Sequence, residues 1–159
     1  MPDELVDRIK KAFLESAIKT FQKMIMVELS QFADSDKLTG LFDISGVIGF
    51  SGDIVGNCAL RMSEQGAQQA VTRLTGEPVE QSSEIGDGIG EFVNMIAGNA
   101  KAELQNLNIS LSFPEIVRGK GHEIGFHRHS DIIELFFNSE IGEIGVIVAF
   151  SDPSKKINQ

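Results

Sequence analysis

The chain has 159 residues, a formal net charge of −9, 42% hydrophobic and 23% charged residues, and neither Trp nor Tyr. Such a length makes one ordinary domain that buries a core without disulfides or a structural metal, and the composition argues against disorder. The acidic balance disfavours nucleic acid and anionic membrane as partners, since both repel such a chain at long range.

Asp3–Lys23 carries Leu5, Ile9, Ala12, Phe13, Ala17 and Phe21 at helical spacing, which predicts an amphipathic helix with Asp3 as its N-cap. Met24–Phe32 and Leu41–Phe50 have the β-branched and aromatic content of strands, and the polar stretch Asp34–Gly40 between them reads as a loop. Ser51-Gly52-Asp53 supplies a hairpin turn leading into a strand over Ile54–Met62. Within that strand, Cys58 is the one cysteine; it has no internal disulfide partner and reads as a small buried residue. A helix starts at Ser63 and runs through Val71 and Leu74 to Gly76, with Pro78 preventing continuation.

Ser82–Leu107 is the stretch whose helical pattern carries a distinct polar face. At roughly 100° per residue, Ile85, Ile89, Phe92, Val93, Ile96, Leu104 and Leu107 gather on one side with Ala97 and Ala100. Asp87, Glu91, Asn94, Gly98, Lys101 and Gln105 lie opposite, within about 80° of arc. Glu91 and Asn94 are three apart, so their side chains are neighbours that can both meet a docked surface. Gly98 costs about 1 kcal/mol of helix stability but lets another surface approach closely. Gly86-Asp87-Gly88-Ile89-Gly90 is not a nucleotide loop, because Glu91 stands where the last glycine is needed and no strand leads in. These glycines either thin the helix start for a partner or mark a kink.

Beyond the helix, Ile109–Phe113 is strand-like, Pro114 marks its end or an edge, and Gly119-Lys120-Gly121 is a turn. His122–His129, Ile132–Phe137 and Ile141–Phe150 read as strands, the last two apolar on both faces and therefore candidates for the sheet interior. Residues 1–151 thus form one domain, with 152–159 as a flexible tail. His127 and His129 share a strand face with His122 nearby; a zinc site is one reading and ordinary solvated histidines the other, with no cysteine or spaced carboxylate to complete a ligand set. Without a membrane-length apolar run or an export pattern at Met1, the expected location is the cytoplasm.

Asp87-x-x-x-Glu91-x-x-Asn94 followed by Pro114 resembles the signature of the CheC/CheX/FliY phosphatases. The wording of GEFVNMIAGNAKAEL and of ISLSFPEIVRGKGH, Ile109–His122, is most similar to the CheX branch. The resemblance implies an α+β fold of two pseudo-symmetric halves, an antiparallel sheet with the long helices on one face, and a homodimer joined through sheet edges. It also implies an enzyme that hydrolyses the aspartyl phosphate of a CheY-type chemotaxis response regulator. Asn94 would orient the attacking water and Glu91 would pair with the regulator's active-site lysine, while magnesium sits on the regulator and this chain binds no cofactor. Asp87, Gly98 and Lys101 would belong to the docking surface, although Asp87 reads equally as an acid answering the helix dipole and Lys101 as a solvated cation. CheC-type relatives carry a second E-x-x-N helix; here the corresponding segment is Glu15-Ser16-Ala17-Ile18, so a single site is expected. The alternative is a non-catalytic module of the same fold that docks a regulator or a flagellar-switch component, against which the retention of both Glu91 and Asn94 weighs.

Overall fold

Gly52 adopts a φ of 112°, open to glycine and strained for other residues, and thereby closes a hairpin between β2 (Ile44–Gly52) and β3 (Val55–Met62). The computed structural model describes residues 1–32 and 42–155, and the remaining elements follow in sequence around this hairpin. They are α1 (Asp3–Ile25) and β1 (Ser30–Gln31) before it, then α2 (Glu64–Thr75), α3 (Ser82–Glu103), β4 (Ile109–Leu111), β5 (Glu115–Arg118), β6 (Asp131–Asn138) and β7 (Ile144–Ser151). All strands pair antiparallel in the order β1-β6-β7-β3-β2-β4, and β5 pairs with the first half of β2 on the edge whose last residues pair with β4.

The period-two alternation of the strands sends Ile44, Ile48 and Phe50 of β2, Cys58, Leu60 and Met62 of β3, and Val146, Val148 and Phe150 of β7 into one core. The helices cover that face. α1 and α3 run antiparallel in a buried seam, where the Phe21 and Phe92 rings stack 5.0 Å apart and Ser16 Oγ donates a 2.6 Å hydrogen bond to the Ile96 carbonyl. Phe13 carries the seam onto the sheet through the Phe50 ring, 5.8 Å away. On the other face His122 Nε2 lies 2.7 Å from Ser45 Oγ, and Arg61 bonds both Ser45 Oγ and the His122 carbonyl while stacking over Phe42. The α+β architecture with helices on one face is therefore the one the signature implied.

Several boundaries differ from the sequence reading. Asp3 is the first helical residue and Pro2 occupies the cap position, so no side chain caps α1. That helix runs on to Ile25 and stops at Met26, which has a φ of 56°; Val27 and Leu29 are then buried while Glu28 is exposed. The alternation of an extended chain is present over Met24–Phe32, but ladder pairing with β6 comes at Ser30 and Gln31. α3 ends at Glu103 rather than Leu107, because Leu104 bonds back to Lys101 and Asp53 holds the Asn108 amide at 2.7 Å. Glu115–Arg118 forms a strand that the periodicity left unassigned, whereas His122–His129 forms none. The two long apolar runs do become β6 and β7, both interior. At the C-terminus Pro153–Lys155 makes a single 3-10 turn; Asp34–Gly40 and residues 156–159 lie outside the described residues.

Candidate functional site

α3 can carry a site because its buried side is fixed on two fronts. Ile89 and Val93 press on Gly46 of β2, where a Cβ would lie 3.1 Å from Ile89 Cγ2. Gly88 admits the Val71 side chain of α2. At the start of the helix, Arg118 of β5 bonds the Ser82 carbonyl and the Glu64 carboxylate, lying beside Gly86. Gly86 and Gly90 are backed by Ile116 and Pro114, so the glycines of this segment make room for the chain's own residues rather than for a partner.

What remains exposed is the polar stripe. Asp87, Glu91 and Asn94 follow one another at i, i+4 and i+7, all at the surface. With Gly90 they form one wall of an open groove of about 610 Å³, and Leu111, Ser112, Phe113 and Pro114 form the other. The Glu91 carboxylate and the Asn94 carboxamide make no hydrogen bond or ion pair with another described residue. Their donors and acceptors therefore point outward unspent, which suits an external group and contributes nothing to folding.

The opposing wall was only half visible in the sequence. Pro114 belongs to the signature, but Phe113, 93% exposed, lies past the end of the strand Ile109–Leu111 that its aromatic character suggests it should join. Gly98 and Lys101 lie further along the same stripe, outside the groove; a Cβ on Gly98 would meet nothing within 4 Å. Ile18, at the position where a second site would need its amide, is exposed on α1.

The three histidines are not brought together. His122 bonds Ser45 and the Gly119 carbonyl, whereas the rings of His127 and His129 stand 5.5 Å from each other. No cluster of three or more His, Cys, Asp or Glu suited to a metal occurs among the described residues. None of the described helices is long and apolar enough to cross a membrane.

Comparison with known proteins adds lineage to this geometry. A CheX protein from Vibrio vulnificus is 28% identical, with 89% of this chain and 95% of that one covered and a TM-score of 0.78. A CheC-like superfamily protein from a Shewanella species is 26% identical over 91% of this chain and 97% of that one, with a TM-score of 0.79. A CheX-CheY-BeF3-Mg2+ complex from Borrelia burgdorferi contains a chain of the same fold, 20% identical over 89% of this chain and 97% of that one, with a TM-score of 0.72. No curated protein sequence matches. The family described as chemotaxis phosphatase CheX matches residues 44–138, a span that runs from β2 to β6 and takes in both walls of the groove. The chain belongs to the CheX family of chemotaxis phosphatases.

Proposed function

We propose that the chain hydrolyses the aspartyl phosphate of a CheY-type response regulator docked on the groove between α3 and the Leu111–Pro114 segment. The observation that carries this reading is the pairing of Glu91 and Asn94, adjacent, exposed and without side-chain partners among the described residues, beside Pro114. Phosphoryl transfer of this kind needs positioning and electrostatics more than a nucleophile from the catalyst, and the groove offers no activated nucleophile. In this mechanism the Asn94 carboxamide accepts a hydrogen bond from a water and holds it in line with the phosphorus. The water oxygen bonds to phosphorus as the bond to the aspartyl oxygen breaks, leaving a carboxylate and inorganic phosphate, and the water's proton passes to phosphate or solvent. Glu91 pairs with the regulator's active-site lysine and fixes the register of the two proteins. Magnesium held by the regulator supplies charge neutralisation at the phosphate, in keeping with the CheX-CheY-BeF3-Mg2+ complex of the Borrelia relative.

Asp87 at one end of the stripe and Gly98 and Lys101 at the other extend the docking surface. Two copies of the chain join through sheet edges in this reading, and the support is that the sheet is open at both ends of its strand order.

The test is phosphate release from a phosphorylated CheY-type regulator in the presence of wild type, Asn94→Ala or Glu91→Ala. Asn94→Ala is expected to bind and not hydrolyse, whereas Glu91→Ala loses docking as well. Equal decay with and without wild type would remove the enzyme reading and leave the non-catalytic docking module; unchanged turnover by Asn94→Ala would remove the mechanism.

A further inference from the structure

Phe113 is the most exposed large apolar side chain among the described residues, at 93%, and it stands on the groove wall opposite Glu91 and Asn94. It is not on a loose tip. Ser112 N–H donates to the Gly49 carbonyl at 3.0 Å, Ser112 Oγ accepts from Gly49 N–H at 2.8 Å, and the same hydroxyl donates to the Phe113 carbonyl at 3.1 Å. Pro114 follows, restricting Phe113 to extended backbone, and its ring rests against Gly90 of α3. Backbone on both sides of Phe113 is thus fixed to the sheet and to the helix that carries the polar pair.

An aromatic ring held in water by fixed backbone keeps apolar surface hydrated at a free-energy cost, and a partner that covers the ring removes that cost. Aromatic anchors of this kind dominate interface energetics, since little side-chain entropy is lost on binding. Because the ring lines the same groove as Glu91 and Asn94, a partner that fills the groove meets all three.

We infer that Phe113 is the apolar anchor of the docking surface, inserting beside the phosphorylation site of the regulator and setting affinity rather than chemistry. The inference rests on the proposed function, since it takes the regulator as the occupant. The anchor and the polar pair divide the work: Phe113 contributes contact area, Glu91 register, and Asn94 the water.

The experiment measures dephosphorylation of a CheY-type regulator over a range of regulator concentrations, and binding of the same regulator activated by beryllofluoride and magnesium. Phe113→Ala is expected to raise KM and Kd by about tenfold or more, with kcat within about twofold of wild type and an unchanged thermal midpoint. Phe113→Leu should recover part of the affinity, and Met26→Ala, another exposed apolar residue at 78% exposure, should leave KM unchanged. An unchanged KM and Kd in Phe113→Ala would overturn the inference while leaving the phosphatase reading in place. A fall in kcat at unchanged KM would overturn it as well, and so would a change in the oligomeric state of the free protein, which would make a second copy the occupant. Wild type that binds the beryllofluoride-activated regulator yet does not speed decay of the phosphorylated one, with binding lost in Phe113→Ala, would sink the enzyme reading and uphold the anchor.

Discussion

Val71 of α2 and Gly88 of α3 meet so closely that a Cβ placed on Gly88 would lie 2.4 Å from Val71 Cγ2. Val71 is buried, so it has no solvent to swing into. Gly88→Ala is therefore expected to destabilise the protein by about 1–3 kcal/mol despite alanine's better helix propensity. Urea unfolding of Gly88→Ala, Val71→Ala and the double variant would check this. Coupling of the two sites, with the double variant less destabilised than the sum, is the expected result, and simple additivity would contradict it.

Gly98 predicts the opposite. Nothing lies within 4 Å of a Cβ built there, so Gly98→Ala should stabilise the free protein by about 1 kcal/mol through helix propensity alone. The same change should slow regulator dephosphorylation, because the proposed docking face relies on close approach along the stripe. A stabilised variant with undiminished activity would show that no partner packs at this turn.

Burial pushes the Cys58 thiol from its ordinary 9.0 up to about 12. The folded pKa lies above the unfolded one, so the stability associated with this group is complete below about pH 9 and declines as pH rises towards 12. The slope approaches about 1.4 kcal/mol per pH unit within that window. Unfolding midpoints of wild type measured from neutral pH upward should fall faster above pH 9 than those of Cys58→Ala; parallel curves would refute the assignment. Native protein at neutral pH should also resist alkylation at Cys58.

Arg61 fastens the segment after β5 to the face of the sheet opposite the helices, through Ser45 Oγ at 3.3 Å, the His122 carbonyl and the Phe42 ring. Desolvation lowers the Arg61 pKa and the charge of Glu123 opposes that shift, but the guanidinium stays charged and its donors are the useful feature. Arg61→Leu is expected to cost about 1–3 kcal/mol and, by loosening the segment, to speed tryptic cleavage after the exposed Lys120 and Arg128. Cleavage kinetics under native conditions would register the change, and wild-type protection in the variant would argue against the fastening.

The helical stripe of α3 was legible in the sequence because its two faces differ in chemistry as well as in polarity: Ile85, Ile89, Phe92 and Val93 are all buried, and Asp87, Glu91 and Asn94 all exposed. Turn residues were equally readable, with Ser63 accepting from the Gly66 amide and Gly76 ending α2 in the left-handed conformation. The failures share a cause, which is that pairing partners are non-local. Met24–Phe32 has strand-like alternation but meets β6 at just two residues, and Glu115–Arg118 is too short to declare itself until β2 lies beside it. Gly86, Gly88 and Gly90 at the start of α3 mislead for a related reason. Their neighbours Val71, Pro114 and Ile116 come from elsewhere in the chain, and no local pattern announces such contacts. Phe113 was hidden by its composition, since an aromatic beside Ser112 and Leu111 reads as strand and not as a solvated ring.

The seating of α3 against Gly46 of β2 and Val71 of α2 has an evolutionary corollary. Backbone-to-side-chain closeness leaves the helix no room to slide or roll, so the inward residues are locked together and must change in concert. The outward residues are under no such bond. On the proposed docking surface, exchanges at Phe113, Asp87 or Lys101 would change the partner without renegotiating how the chain folds.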